Sequence, residues 1–227
     1  AQSVERLLST SERAHKVAVG KRCGRHSAAQ HFINKRLIDA ARKYRTVVRL
    51  KGGDPMVFGR SQEEIDALEA AGIAVEVVPG VRAALAAAAE LRTSLTRRGM
   101  SRSVTLVTPR VGSGNPEHDW SAPVPPADTV AIYMGAGEAE RVQQALFAKG
   151  YRVDTPLALC ESVSLVDARS IRGRLDELPA LAAKLTGGPA LILIGKVFAK
   201  ASSQLPEAET ALATSASAHR LTARSAR

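Results

Sequence analysis

A short glycine turn between residues 50 and 60 is the strongest candidate for chemistry in this sequence. The segment reads LKGGDPMVFGR and contains Gly52, Gly53, Asp54 and Pro55 in succession. Glycines carry no Cβ atom, so a ligand can approach their backbone closely. Pro55 restricts Asp54 to extended conformations and gives its carboxylate a defined direction. These residue types fit a ligand-binding turn, and equally a tight turn in which Asp54 bonds neighbouring amides.

Two further turns follow hydrophobic segments later in the chain. Residues 79–83 follow the segment AVEVV, and residues 134–137 follow the segment TVAIY. In open α/β sheets, ligands bind where the carboxyl ends of strands meet the N-termini of helices. We therefore expect the three turns to line one cleft.

Alternating strand and helix patterns must position these turns. With 45% hydrophobic but only 4% aromatic residues, the core suits parallel strands buried between helices. We predict that Ser61 caps a helix whose first turn contains Glu63 and Glu64. Strands are predicted at 47–50, 74–78, 104–107, 129–133, 156–160, near Ser170 and at 190–194, and helices at 30–44, 61–71, 82–91, 138–148 and 175–185. This alternation predicts an α/β fold.

The glycines and prolines between residues 109 and 126 indicate a linker. We therefore predict an N-terminal α/β domain at 1–108 and a C-terminal α/β domain at 127–200, with a cleft between them. Residues 201–227 are rich in Ser, Ala and Thr, have little apolar pattern and are predicted to form a tail.

The formal net charge of +10 indicates an anionic partner or a highly solvated surface. Nucleic acid is the usual partner of a basic protein, but the sequence contains neither a zinc-finger pattern nor an RNP-type aromatic motif. A polyanionic small molecule fits the charge equally well.

Cysteine and histidine spacing argues against a metal site. Cys23 and Cys160 lie far apart without a C-x-x-C pair, and His26 and His31 do not share a helix face. No apolar run approaches the roughly 18 to 20 residues that span a bilayer, and the first residues contain no signal-peptide core. We therefore expect a cytoplasmic protein without a membrane partner.

Six motifs together resemble one known family in order and spacing. They are LKGGDPMVFGR (50–60), EVVPGV (76–81), SLTRRG (94–99), SVTLVT (103–108), IYMG (132–135) and PALILIG (189–195), with VGKRCGRHS (19–27) upstream. Their arrangement resembles the uroporphyrinogen-III C-methyltransferases among the S-adenosylmethionine-dependent tetrapyrrole methyltransferases. The resemblance extends to about Ala201.

The resemblance implies a methyltransferase that uses S-adenosylmethionine and releases S-adenosylhomocysteine. The reaction would convert uroporphyrinogen III, an anionic tetrapyrrole, to precorrin-2 for siroheme or cobalamin, in a homodimer. Its cofactor contacts would be Gly52, Gly53, Asp54, Val57, Ala83 and Met134. The thioether of Met134 can pack on an adenine or a sulfonium, although a lone methionine at a strand end is also an ordinary core residue. Lys21 falls on the family's proton donor, and a surface ion pair is its other interpretation.

Several positions depart from the family pattern. Arg82 replaces a threonine and Val163 replaces a glycine that contacts the cofactor, so both add bulk beside the ligand. Arg97 replaces a histidine. Arg82, Arg97, Arg98 and Arg110 could instead bind substrate carboxylates by forked hydrogen bonds.

Two family segments have no counterpart in the sequence: a Gly-x-Gly-Pro-Gly-Asp loop and a Tyr-Asp-Arg-Leu segment that contains the suggested base. We therefore expect the sequence to be incomplete at its start. Three alternative functions remain: a methylase of the same fold that acts on a later corrinoid, one that acts on RNA, and a non-catalytic protein that only holds a tetrapyrrole.

Overall fold

The computed structural model describes residues 14–19, 30–109, 119–124, 126 and 128–199. Its helices are α1 (Gln30–Lys43), α2 (Ser61–Ala70), α3 (Ala83–Glu90), α4 (Ala139–Ala148) and α5 (Leu178–Ala182). Its strands are β1 (Val104–Val107), β2 (Thr129–Tyr133), β3 (Pro156–Glu161), β4 (Arg169–Arg174) and β5 (Ala190–Ile194). Short 3-10 helices at Ala136–Glu138, Leu175–Glu177 and Lys196–Phe198 complete the described elements.

The strands form one mixed sheet in the order β1-β2-β5-β3-β4. Only β1 and β2 pair in parallel, whereas β5 is antiparallel to both β2 and β3, and β3 is antiparallel to β4. The α/β class is confirmed, but the expectation of a parallel sheet is wrong for these strands. β5 lies between β2 and β3 and runs opposite to both, a pairing that a local hydrophobic pattern does not specify.

The sheet spans the predicted linker. β1 precedes residues 109–126 and β2 follows them, yet Val104 lies opposite Thr129 and Val107 opposite Ile132. The strand that we assigned to the N-terminal domain is therefore hydrogen-bonded to the first strand of the C-terminal domain.

Side chains alternate between the two faces of the sheet, as expected for strands buried on both sides. On one face Val130, Ile132 and Ile194 pack with Val142 and Leu146 of α4. The other face packs against α3, and its cluster includes Ala84, Ala87, Ala131, Tyr133, Ala158, Leu191 and Leu193. This second cluster brings the N-terminal end of α3 close to the carboxyl end of β2.

The buried carboxylate of Glu64 joins α1, α2 and the segment that precedes the glycine turn. It accepts hydrogen bonds from Lys51 Nζ at 2.9 Å, Arg49 Nε at 3.3 Å and Gln30 Nε2 at 3.2 Å. Burial alone would raise the pKa of Glu64, but these donors lower it below its usual value. An ionised Glu64 therefore holds residues 49–51 against α2.

Two predicted strands are not strands in the structure. Residues 47–50 and 74–78 form no ladder, and Val48 and Val78 are 77% and 72% exposed. Their β-branched side chains favour an extended backbone, but a strand also requires hydrogen bonds from a neighbour. No described residue supplies those hydrogen bonds to either segment.

The predicted helices are present, with two local differences. Ser61 does not cap α2: its hydroxyl donates to the carbonyl of Pro55 at 2.6 Å, and Arg60 occupies the N-cap position with φ 54°. The helix predicted at 175–185 is shorter, since a 3-10 turn at Leu175–Glu177 precedes α5. The hydroxyl of Ser61 thereby joins the helix to the glycine turn.

A second buried carboxylate, Glu161, organises the loop that precedes β5. It accepts hydrogen bonds from the amides of Thr186 (2.9 Å) and Gly188 (2.8 Å) and from Arg169 Nε (2.6 Å). Burial alone would raise its pKa, but these donors lower the pKa of Glu161 to about 2. Glu161 therefore stabilises the fold in its ionised form.

Glu161→Gln should lower the free energy of unfolding by about 2 kcal/mol near neutral pH, because an amide cannot satisfy both Arg169 and the two backbone donors. The pKa of Glu161 is about 2 in the folded protein and 4.5 ordinarily, so this stabilisation is complete above 4.5 and is lost as the pH falls toward 2. Urea unfolding across that range checks this. The difference from wild type should shrink in acid, and Glu140→Gln, at an exposed glutamate, should match wild type; a constant difference would contradict the assignment.

Candidate functional site

The Asp54 carboxylate joins the glycine turn to the turn at Pro79 and Gly80. One oxygen accepts from the Met56 amide at 2.8 Å and the other from the Gly80 amide at 2.9 Å. The hydrogen bond from Gly80, then that from Met56, and finally the charge of Arg82 lower the pKa of Asp54 below its usual value. This is the bonding to amides that the sequence left open as the second interpretation of Asp54.

The two turns also touch through their backbones. A Cβ atom added to Gly80 would lie 2.5 Å from the carbonyl oxygen of Gly53, so only glycine fits there. Gly53 has φ 71°, which L side chains rarely adopt. A Cβ atom added to Gly52 would meet no heavy atom within 4 Å. The turn is therefore tightly packed on one side and bare at Gly52.

Tyr133, at the end of β2, contacts both of these turns. Its ring centroid lies 5.1 Å from that of Phe58, and its hydroxyl oxygen accepts a hydrogen bond from the Ala84 amide at 3.1 Å. The next residue, Met134, is 45% exposed and has φ 58°. The three segments, residues 51–60, 79–84 and 133–135, therefore meet at this one tyrosine, and we call them the three site segments.

The predicted cofactor residues lie within these three site segments. Gly52, Gly53, Asp54 and Val57 belong to the first, Ala83 to the second and Met134 to the third. Val57, Ala83 and Met134 each neighbour in sequence a residue that contacts Tyr133 or is Tyr133 itself. The structure thus brings the segments together, while their cofactor contacts stay predictions.

Sequence reasoning missed the two aromatic residues at the centre of the site. Phe58 and Tyr133 lie within the motifs LKGGDPMVFGR and IYMG, and each adjoins a predicted cofactor residue. An aromatic residue at the end of a buried strand, beside a glycine turn, was the available signal. The Arg82 guanidinium carbon packs over both rings, 4.9 Å from the Tyr133 centroid and 5.6 Å from the Phe58 centroid.

Val163 lies on the β3–β4 loop, close to the same region. It packs against the cluster that contains Tyr133. The adjacent Ser162 and Ser164 have φ 55° and 65°, and the Ser164 amide donates to Glu90 Oε1 at 2.6 Å. The loop is thus fixed against the end of α3, and Val163 fills space beside it.

Of the predicted substrate arginines, Arg82 lies in the second site segment, whereas Arg97 and Arg98 lie outside the three site segments. Arg97 and Arg98 are exposed on the turn before β1, which is closed by paired backbone hydrogen bonds of 2.9 Å between Arg97 and Ser101. Within the described ranges neither guanidinium forms a hydrogen bond or ion pair. Arg110 and the predicted proton donor Lys21 lie outside the described residues.

The described part of the chain offers neither a metal site nor a membrane span. No group of three or more His, Cys, Asp or Glu side chains there is arranged to hold a metal ion. No helix there has the length and apolar character needed to cross a membrane.

Residues 1–179 match the family of Tetrapyrrole (Corrin/Porphyrin) Methylases. The chain belongs to this family. The tetrapyrrole methylase fold is also that of a uroporphyrin-III C-methyltransferase from Thermus thermophilus, solved in complex with S-adenosylhomocysteine. That structure is 36% identical, has a TM-score of 0.71, and the match covers 85% of this chain and 81% of that one. A cobalt precorrin-4 methyltransferase is 26% identical, with a TM-score of 0.66 and coverage of 78% and 74%.

Curated relatives of this tetrapyrrole methylase include siroheme synthases. Those of Zymomonas mobilis and Tolumonas auensis are each 43% identical, over 184 and 190 residues, which cover 81% and 84% of this chain. The matched part is only 39% and 40% of the relatives' own length. The chain therefore spans about two fifths of these relatives.

Gly80→Ala should destabilise the protein by about 1 to 3 kcal/mol, because the new methyl group would force the Pro79–Gly80 turn away from the Gly53 carbonyl. Urea unfolding measures the loss. Gly137→Ala is the matched control, since a Cβ atom there meets nothing within 4 Å, and its unfolding midpoint should equal that of wild type. Equal stability of the two variants would show that the turns are not in contact.

Proposed function

We propose that this chain binds S-adenosylmethionine at the three site segments and transfers its methyl group to pyrrole carbons of uroporphyrinogen III, giving precorrin-2. The supporting observation is the meeting of these segments at Tyr133, which places the bare glycine turn, the start of α3 and Met134 together. Similarity to the Thermus thermophilus enzyme supports the choice of cofactor and substrate.

The residues present fit this cofactor at three points. Gly52 leaves its backbone open to a flat ligand. Ala83, the first residue of α3, has a small side chain that leaves room for a ligand. The exposed thioether of Met134 can pack on an adenine or a sulfonium without competing for hydrogen bonds. We therefore assign cofactor binding to these residues together with Gly53, Asp54 and Val57.

The sulfonium of S-adenosylmethionine supplies a methyl group that is already activated for transfer. The protein has to align the acceptor carbon with that group and keep water away. Backbone at Gly52 and Gly53 and the side chains of Val57 and Met134 perform this positioning. In our proposal Lys21 is the proton donor of the reaction.

The substrate is a polyanion, and the net charge of +10 supports this choice. The exposed guanidinium groups of Arg97 and Arg98 are free to bind carboxylates by forked hydrogen bonds. Arg110 completes the proposed set of substrate arginines outside the three site segments.

The assembly and cellular role are further parts of the proposal. The product would feed siroheme or cobalamin synthesis in the cytoplasm, and the protein would act as a homodimer. Light scattering coupled to gel filtration tests the dimer: a mass near 24 kDa, that of one chain, would contradict it.

Gly52→Ala should weaken binding of S-adenosylhomocysteine roughly tenfold or more, because the methyl group would occupy the bare face of the turn. It should leave the unfolding midpoint nearly unchanged, since Gly52 has space and no left-handed φ. Calorimetry with S-adenosylhomocysteine measures binding, and methyl transfer to uroporphyrinogen III measures activity.

Binding of S-adenosylhomocysteine to the wild-type protein tests the proposal itself. Absence of S-adenosylhomocysteine binding would contradict it, as would normal binding by Gly52→Ala with unchanged stability. RNA binding with a steep salt dependence would instead favour the RNA-methylase alternative. Uroporphyrin binding without any binding of S-adenosylhomocysteine would favour the non-catalytic one.

A further inference from the structure

Arg82, in the second site segment, contacts residues of both other site segments. Its guanidinium packs over the rings of Phe58 and Tyr133. Its Nη1 donates to the carbonyl oxygen of Asp54 at 3.0 Å and lies 3.3 Å from the place that a Cβ atom on Gly53 would take. The guanidinium therefore lies against the glycine turn.

The opposite edge of this guanidinium has no partner. Nε of Arg82 is buried and forms no hydrogen bond, and Nη2 forms none with any described residue. Buried N–H groups are almost always bonded, and an unbonded donor on a charged group is especially costly. The two free donors, Nε–H and Nη2–H, form the planar fork that matches a carboxylate.

No carboxylate of the described residues fills this fork. Asp54 lies beside Arg82, since its backbone carbonyl accepts from Nη1, but its carboxylate oxygens accept from the amides of Met56 and Gly80. Arg82 forms no ion pair within the described ranges. The missing partner is therefore to be sought in a ligand.

The surroundings also favour an anion at this edge. Arg82 is the N-cap of α3, and the partial positive charge of a helix N-terminus stabilises a carboxylate. A sulfonium bound near a bare guanidinium would experience repulsion between like charges. A carboxylate between the two cations would remove that repulsion.

We infer that the Nε–Nη2 edge of Arg82 binds a carboxylate of the ligand and so determines affinity at the site. This inference rests on the function proposed above. The carboxylate comes from the methionine part of the methyl donor or from a side chain of the tetrapyrrole. Because Nε is covered in the free protein, the side chains of Arg82 and the exposed Phe58 shift when the carboxylate enters.

Calorimetry on the full chain distinguishes the two sources. Two probes are measured by calorimetry: S-adenosylhomocysteine, and methylthioadenosine, which lacks the amino-acid carboxylate. The third probe is uroporphyrin III, and its binding is followed by fluorescence. If the carboxylate belongs to the methyl donor, Arg82→Thr lowers the affinity for S-adenosylhomocysteine roughly tenfold to hundredfold. The affinity for methylthioadenosine then falls less than about twofold. If the carboxylate belongs to the tetrapyrrole, Arg82→Thr lowers only the affinity for uroporphyrin III, again roughly tenfold to hundredfold.

Two further variants make the result specific. Arg82→Lys keeps the charge without the fork and should restore part of the lost affinity. Arg45→Thr removes one positive charge at an exposed residue that has no partner in the described structure, and its affinities should equal those of wild type. Circular dichroism melts establish that each variant is folded.

The outcomes separate this inference from the proposed function. If wild type binds S-adenosylhomocysteine or uroporphyrin III and Arg82→Thr binds both equally well or more tightly, the guanidinium only fills the cleft and the inference is overturned. If wild type binds neither probe, the proposed function fails and this inference fails with it.

Discussion

The shape of the candidate site depends on the Asp54 carboxylate, which accepts hydrogen bonds from amides of two different turns. Those bonds stabilise the ionised form and lower the pKa of Asp54 below its usual value. Both oxygens are occupied by the protein itself. Asp54 therefore joins the two turns and determines the shape of the glycine turn.

A second carboxylate determines where that turn lies. Residues 46–51 have no ladder hydrogen bonds in the described structure, so the packing of a sheet does not hold them. Glu64 supplies the constraint instead, through Lys51 and Arg49. Because Glu64 and Lys51 are both largely buried, loss of Glu64 would leave the Lys51 ammonium without its partner and would move the turn. The contacts of Arg49 and Lys51 with Glu64, and of Asp54 with Gly80, thus replace the sheet contacts that a valine-rich segment ordinarily makes.

The sequence predicts the local conformations well and their pairing poorly. The bounds of β1, β2 and β5 agree with the predictions because continuous apolar runs bounded by glycine or proline are strong local signals. The antiparallel placement of β5 between β2 and β3 depends on contacts distant in sequence. For the same reason residues 47–50 and 74–78 have the composition of strands and yet pair with no strand among the described residues.

In the candidate site too, the positions of segments are predicted better than the contacts of individual side chains. Motif order predicts that the three turns meet, and the contacts of Tyr133 agree with that meeting. The orientation of Arg82 was not predictable, because it depends on two rings and a carbonyl from other segments. The sequence shows how many charged residues lie near a motif, but it does not show which way their side chains point.

The alanine-rich sequence of α3 explains how these segments come so close. Ala84 and Ala87 are 1% and 0% exposed and face the sheet without intervening side-chain bulk. Small residues let a helix approach its neighbour closely, and here that approach lets the Tyr133 hydroxyl reach the Ala84 amide at 3.1 Å. A larger residue at either alanine would push the helix outward and break that bond. It would also carry Arg82 and Ala83 away from the glycine turn, so the composition of this helix controls the spacing of the three site segments.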